Sequence, residues 1–345
     1  MIDLRSDTVT KPTAAMRAAI TAAEVGDDMF GEDPTVEKLE QTIAQRLGKE
    51  RALFVPSGSM GNLLGIRTHC GPGDEFLCEQ TCHIIKYEQA SYAQLWGVAA
   101  HTITGERGVL HLDQVQDRIR HVDMHCPQTK LICLENTHNY GGGSIQPLEV
   151  VGQLCNWAAE HGLKRHLDGA RLFNAVVVTG IPASDWAQHF DTVSVCFSKG
   201  LGAPVGSALC GTAEQIKRAR WHRKALGGAM RQAGVLAAAA LYALENHVDR
   251  LAEDHANAQT LARAIEEIDG LSLAGPVETN LVYFNVEERI GTAEQFSKRL
   301  AENGVAMFDV APQKLRAVTH LDVNSEQIDS VRETLHRISG HGSHG

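Results

Sequence analysis

Residues 192–210 read Thr192-Val193-Ser194-Val195-Cys196-Phe197-Ser198-Lys199-Gly200-Leu201-Gly202-Ala203-Pro204-Val205-Gly206-Ser207-Ala208-Leu209-Cys210. A β-rich run, Thr192 to Phe197, gives way to a glycine-rich loop, and a second apolar run follows at Ser207 to Cys210. Five more such runs lie upstream: Ala52 to Val55, Glu75 to Cys78, Val98 to Ile103, Lys130 to Glu135 and Arg165 to Asp168. Helical patterns separate them. This alternation implies βαβ units and an α/β fold with a mostly parallel sheet. The first helix is well marked: Asp33 can cap it, Pro34 suits its first turn, and Val36, Leu39, Ile43 and Leu47 form one apolar face before Gly48.

Downstream the pattern changes. An Ala- and Leu-rich stretch from about Gln232 to Glu267 predicts a long helix leading out of the sheet domain. After it come candidate strands Leu271 to Ala274, Leu281 to Asn285, Val305 to Phe308 and Leu315 to Val318, with helical segments between and after, which predicts a small α+β domain. The expected division is a large domain over 1–231 with an N-terminal arm over 1–34, a bridging helix over 232–270, a small domain over 271–339 and a mobile tail over 340–345. With 345 residues and 43% hydrophobic content the chain can bury a sizeable core. A formal charge of -10 argues against general affinity for nucleic acid or anionic membrane. Met1 to Thr10 has neither a signal-peptide core nor a transit-peptide pattern, so the expected location is the cytoplasm. The eight cysteines form no CxxC pair, which suits a reducing compartment and predicts no metal site.

Three segments carry chemistry. The first is the loop after Phe197, which presents Lys199 among glycines that allow a bulky ligand close approach. A lysine so placed can form a Schiff base, although one such lysine alone is more often a surface residue in a turn. The second is His166-Leu167-Asp168-Gly169-Ala170-Arg171 at the end of a predicted parallel strand, where open α/β sheets place ligands. Asp168 suits the ring nitrogen of a pyridinium cofactor, and Arg171 can reach the same mouth; the bland reading is a helix-capping Asp beside a solvated Arg. The third is Pro56-Ser57-Gly58-Ser59-Met60-Gly61-Asn62-Leu63, a small-residue turn opening a helix and therefore a possible phosphate cup. Together they supply the three handles of pyridoxal 5'-phosphate: an anchor for the phosphate, a carboxylate for the ring and a lysine for the aldehyde.

Seven segments taken in order resemble the low-specificity L-threonine aldolases: IDLRSDTVTKP (2–12), VGDDMFGEDPTVEKLE (25–40), LENTHN (134–139), HLDGARLFNA (166–175), SKGLGAPVGS (198–207), GGAMRQAG (227–234) and VTHLDV (318–323). The resemblance implies the fold type I architecture of pyridoxal phosphate enzymes, with a large mostly parallel-sheet domain, a small C-terminal α+β domain, and a homodimer or homotetramer with shared active sites. Residue by residue it implies that Lys199 forms the Schiff base, Asp168 partners the ring nitrogen, and Gly58, Ser59 and Met60 hold the phosphate. It implies a carboxylate clamp of Ser6, Arg171 and Arg316, a ring-stacking His83, a His125 near the substrate hydroxyl, and Lys224 and Arg231 reaching a neighbouring subunit's cofactor site. The chain departs from the family at Ser59 (threonine is usual), at Cys82 (alanine is common) and in the loop lengthened by Gly141-Gly142-Gly143.

The activity implied is reversible cleavage of L-threonine, L-allo-threonine and related β-hydroxy-α-amino acids to glycine and an aldehyde. The general base is His83 or His125, and the sequence leaves that choice open. The same cofactor handles would serve β-elimination, racemisation or transamination, and a non-catalytic cofactor-binding protein is the alternative of a different class.

Overall fold

The computed structural model describes residues 1–339, and the expected tail over 340–345 lies outside them. In chain order the strands are β1 (Ile2–Asp3), β2 (Arg51–Val55), β3 (Asp74–Glu79), β4 (Ala99–Ile103), β5 (Gln128–Glu135), β6 (Lys164–Gly169), β7 (Thr192–Cys196), β8 (Ser207–Gly211), β9 (Leu271–Leu273), β10 (Leu281–Val286), β11 (Val305–Ala306), β12 (Phe308–Ala311) and β13 (Lys314–Val318). The seven apolar runs of residues 52–210 form one sheet in the order β2-β8-β7-β6-β5-β3-β4. Parallel pairing runs from β7 through β6, β5 and β3 to β4. β8 runs antiparallel to both neighbours. Residues 197–206 link β7 to β8 and are too few for the crossover that a parallel neighbour needs.

The helix Pro34–Arg46 starts as its sequence requires, with the Asp33 carboxylate accepting from the Thr35 and Val36 N–H groups and Val36, Leu39 and Ile43 buried. The helix Gly58–His69 follows β2 directly and lies close to the sheet. A Cβ at Gly61 would overlap the Ser194 hydroxyl on β7, and one at Gly65 would overlap the His166 imidazole on β6. Glycine at these two positions is what permits the approach.

The stretch expected as one bridging helix is two, Gly234–Asn246 and Leu251–Glu266. Asn246 and His247 are weak helix formers. The break falls where His247 Nδ1 bonds the Leu201 carbonyl at 2.8 Å, so the chain turns beside the Lys199 loop. The run expected as a single strand over 305–308 also divides. β12 joins a four-stranded antiparallel sheet in the order β12-β13-β10-β9, whereas β11 pairs in parallel with β1. Leu4 is stitched on both sides, donating to the Ala306 carbonyl and accepting from the Val318 N–H, each at 2.8 Å. Its side chain belongs to the C-terminal core with Val282, Phe284 and Leu315. A separate, larger core lies around the seven-stranded sheet. All eight cysteines are free, seven of them buried and Cys126 exposed. Among the described residues no helix is long and apolar enough to cross a membrane.

Candidate active site

The carboxyl ends of β2, β3, β5, β6 and β7 lead respectively into Ser57-Gly58, His83, Asn139, Arg171 and Lys199. Parallel sheets concentrate ligand sites at that end because the following loops and helix starts leave polar groups free there. The Lys199 loop is fixed through its backbone: the Lys199 carbonyl accepts from Gly202 N–H at 2.8 Å and from the Thr10 hydroxyl at 3.1 Å. The half-buried Lys199 amine makes no hydrogen bond or ion pair among the described residues.

Asp168, next to last in β6, is buried. Its Oδ1 accepts from the Ala170 N–H at 3.0 Å and its Oδ2 from the Asn62 amide at 2.8 Å. The same amide nitrogen donates to Glu88 Oε1 at 2.8 Å, and His83 Nδ1 lies 2.7 Å from that oxygen. The His83 backbone N–H donates to Glu135 Oε2 at 2.6 Å, while the other oxygen of Glu135 accepts from the Asn139 N–H at 2.8 Å. Burial pushes the Asp168 carboxyl up, but the charges of His83 and Lys199 and the bonds from Ala170 and Asn62 outweigh it and hold it below its ordinary value. Burial lowers the His83 imidazole, and the bond to Glu88 with the charges of Asp168 and Glu88 raises it further than burial lowers it.

Ligand atoms of His83, Glu88 and Asp168 converge within 4.8 Å of one another. An amide NH₂ donating to both carboxylates occupies the place where a bridging cation would have to bind. The residues fit pyridoxal phosphate instead. Asp168 is a buried carboxylate with no cationic side chain at ion-pair distance among the described residues, and a protonated ring nitrogen answers that need. At the start of the helix Gly58–His69, the Ser57 hydroxyl takes the Met60 N–H and the Ser57 carbonyl takes the Gly61 N–H. The Gly58 and Ser59 N–H groups have no intrahelical acceptor and would offer a phosphate the positive end of the helix.

The residues expected to clamp a substrate carboxylate are held by further partners. Arg171 is buried and bound bidentately to Asp7, Nε to Oδ2 at 2.7 Å and Nη2 to Oδ1 at 2.8 Å, with Nη1 3.3 Å from Asn139 Oδ1. The two bonds to Asp7 use the Nε edge and the Asn139 contact uses one Nη1–H, which leaves one N–H on each of Nη1 and Nη2 for a second carboxylate. Burial raises the Asp7 carboxyl, but the Arg171 charge overcomes it and holds Asp7 far below the usual carboxylate range. Arg316 on β13 donates to the Arg5 carbonyl at 3.0 Å and sits in register between Tyr283 and Phe308. Ser6 Oγ accepts from the Thr8 N–H at 3.2 Å and the Thr8 hydroxyl at 2.8 Å. Residues 5–7 thus bring Ser6, Arg171 and Arg316 together.

Three expected residues lie elsewhere in this chain. His125 is exposed on the loop before β5, at the opposite end of that eight-residue strand from Glu135. Lys224 is exposed near the end of the helix Ala213–Ala225. Arg231 is largely exposed and pairs with Asp27 at 3.2 Å. Conversely, Asp7, Asn62, Glu88 and Asn139 escaped the sequence reading. Asp7, Asn62 and Asn139 stand inside the quoted segments and were visible as polar residues beside assigned ones. Glu88 had no such signal.

The sequence profile of the beta-eliminating lyases matches residues 3–289. The chain is 43% identical over 334 residues to the low specificity L-threonine aldolase of Escherichia coli strain K12, covering 96% of this chain and 97% of that one. It is 43% identical over 334 residues to low-specificity L-threonine aldolase 1 of Arabidopsis thaliana, covering 95% and 93%. The solved threonine aldolase of Leishmania major superposes with a TM-score of 0.86 at 21% identity, over 98% of this chain and all of that one, so the fold is that of the fold type I enzymes. With Lys199, Asp168, the helix start at Gly58 and Arg171 gathered at one sheet end, these likenesses make the chain a member of the beta-eliminating lyase family, in its low-specificity L-threonine aldolase branch.

Proposed function

We propose that the protein uses pyridoxal phosphate to cleave L-threonine, L-allo-threonine and related β-hydroxy-α-amino acids reversibly to glycine and an aldehyde. One observation carries the reading: an unpartnered Lys199 amine shares a sheet end with the buried Asp168, the free Gly58 and Ser59 N–H groups and the open edge of Arg171. Pyridoxal phosphate supplies, when bound, the electron sink that accepts the pair released from the breaking Cα–Cβ bond. Lys199 would hold its aldehyde carbon, Asp168 its ring nitrogen, and Gly58, Ser59 and Met60 its phosphate.

The chain's own work is positioning and proton transfer. The free edge of Arg171, with Arg316 and Ser6, binds the substrate carboxylate and fixes rotation about Cα, which selects the bond that breaks. His83 takes the proton of the β-hydroxyl as the aldehyde leaves, because its half-buried imidazole stands at the same sheet end as Lys199 and the bond to Glu88 raises its affinity for the proton it receives. His125 would serve only a site built with a neighbouring subunit. Purified protein with added pyridoxal phosphate should release equal amounts of glycine and acetaldehyde from L-threonine. Release of ammonia or a keto acid in their place would point to elimination or transamination.

A homodimer or homotetramer with shared sites is part of this reading, supported by the exposed Lys224 and by the exposure of Phe30 (75%) and Trp221 (67%). Sedimentation showing a fully active monomer would contradict it. A cytoplasmic setting suits eight unpaired thiols, and cell fractionation tests it.

A further inference from the structure

The buried polar chain behind the site permits one assignment of its hydrogens. The Asn62 amide faces two carboxylates on one side, Asp168 Oδ2 and Glu88 Oε1, and His166 Nε2 on the other at 3.2 Å. An amide oxygen turned toward two carboxylates would be repelled, so the nitrogen points there and Oδ1 faces His166. His166 Nε2 therefore carries a hydrogen. His166 is fully buried, and that burial pushes its imidazole down to about 4, so the ring is neutral and its Nδ1 is an acceptor. Thr192 accordingly donates to His166 Nδ1 at 2.9 Å and accepts from His69 Nε2 at 3.0 Å. Every hydrogen along His69, Thr192, His166 and Asn62 points toward Asp168 and Glu88. A row of donors so directed favours both acids as acceptors.

Glu88 Oε1 receives one Asn62 hydrogen and faces His83 Nδ1. Its side chain is 1% exposed and His83's is 27% exposed. We propose that Glu88 is the positioning residue of His83: it holds the imidazole as the Nδ1–H form and turns Nε2, with its lone pair, toward the substrate hydroxyl. This deepens the reading of His83 as the base and rests on it. Glu88 is five residues beyond His83, just after the one-turn helix His83–Lys86, so the sequence brings the pair together locally while Asn62 locks the carboxylate from the sheet side. The other groups facing His83 are Asp168 and Lys199, with the Tyr87 ring 5.4 Å from the imidazole and Glu135 on its backbone N–H. Asp168 is committed to Asn62 and Ala170, and Lys199 opposes protonation of His83. Glu88 alone among these bonds the ring.

The test compares wild type with Glu88→Gln, which keeps an oxygen acceptor for Asn62 and His83 but removes the charge. The full-length protein carries isotope-labelled histidine, the His83 resonance is assigned through His83→Asn, and the titration is run with and without pyridoxal phosphate. Wild type should show the Nδ1–H form when neutral. In Glu88→Gln the His83 midpoint should fall by about one pH unit, a roughly ten-fold loss of proton affinity. For threonine cleavage, kcat should fall ~10- to 100-fold with little change in KM, and the acid limb of its pH profile should move to lower pH. If Glu88→Gln does not fold, Glu88→Asp retains the charge but withdraws it by one methylene and should also lower the midpoint. A His83 midpoint equal to wild type in the folded variant, or an Nε2–H form in wild type, overturns the assignment. Failure of wild type to release acetaldehyde from threonine would instead overturn the proposed activity and leave the His83 titration standing as a separate result.

Discussion

Without its carboxylate, Asp7 would leave the Nε–H and one Nη2–H of Arg171 buried beside a neutral amide, and the guanidinium would lose the partner that aims its free edge. Asp7→Asn is expected to destabilise the fold by about 3 kcal/mol, as breaking a buried ion pair does. It should also lower kcat/KM for threonine ~10- to 100-fold, mainly through KM. Urea unfolding and steady-state kinetics on the same preparation check both, and unchanged values would remove Asp7 from the clamp. Lys199→Ala should abolish turnover and leave the fold intact, since it deletes a loop amine that bonds nothing among the described residues while the backbone bonds of Lys199 remain. Circular dichroism with an acetaldehyde assay decides it: a variant with wild-type turnover would falsify the assignment. Residue types beside a strand end disclosed Lys199, Asp168 and Arg171. Glu88 stayed hidden because its burial depends on Asn62 and His83 meeting it from two other segments, which no local pattern encodes.

Among the elements, the helix Gly58–His69 depends on its two glycines for its distance from the sheet. Gly65→Ala would force a methyl into the His166 ring, which is fully buried and held by Thr192 and Asn62. The expected cost is about 1–3 kcal/mol, typical of overpacking, together with weaker cofactor binding as the helix start and Asn62 shift outward. Denaturant midpoints and a pyridoxal phosphate titration measure the two effects, and an alanine variant as stable as wild type would show that the helix has room to move. The seven strands of the large sheet were legible because each is a short apolar run set off by helical periodicity. β1 was not, since Ile2–Asp3 is a strand only through pairing with residues some three hundred positions away. The division of 305–308 and the break at 247–250 were hidden for the same reason: β1 captures β11, and Leu201 captures His247.

The whole molecule keeps several imidazoles dry, and this sets its response to acid. Burial pushes His166 down to about 4 and His69 down to about 3, against an ordinary 6.5 for each. Below pH 6.5 the unfolded chain takes up protons that the folded chain refuses, so stability should fall as pH drops from about 6.5 toward 4. His166 alone contributes a loss of about 2 kcal/mol between pH 7 and pH 5. Asp7, held low, loses its contribution only below about pH 4, where an ordinary aspartate begins to protonate. Asp254, whose carboxyl burial pushes up to about 6, and the raised His83 and His138 work the other way and offset part of the histidine loss. Unfolding measured at pH 7, 6 and 5 should still show a net decline, and a flat profile over that interval would mean that the rings of His166 and His69 are hydrated. The course of the chain adds a constraint of timing. Residues 2–7 are anchored by Ala306, Val318 and Asn280 as well as by Arg171. During synthesis residues 2–7 cannot take their place until residues some three hundred positions further along have left the ribosome, so the arm that aims Arg171 is set late.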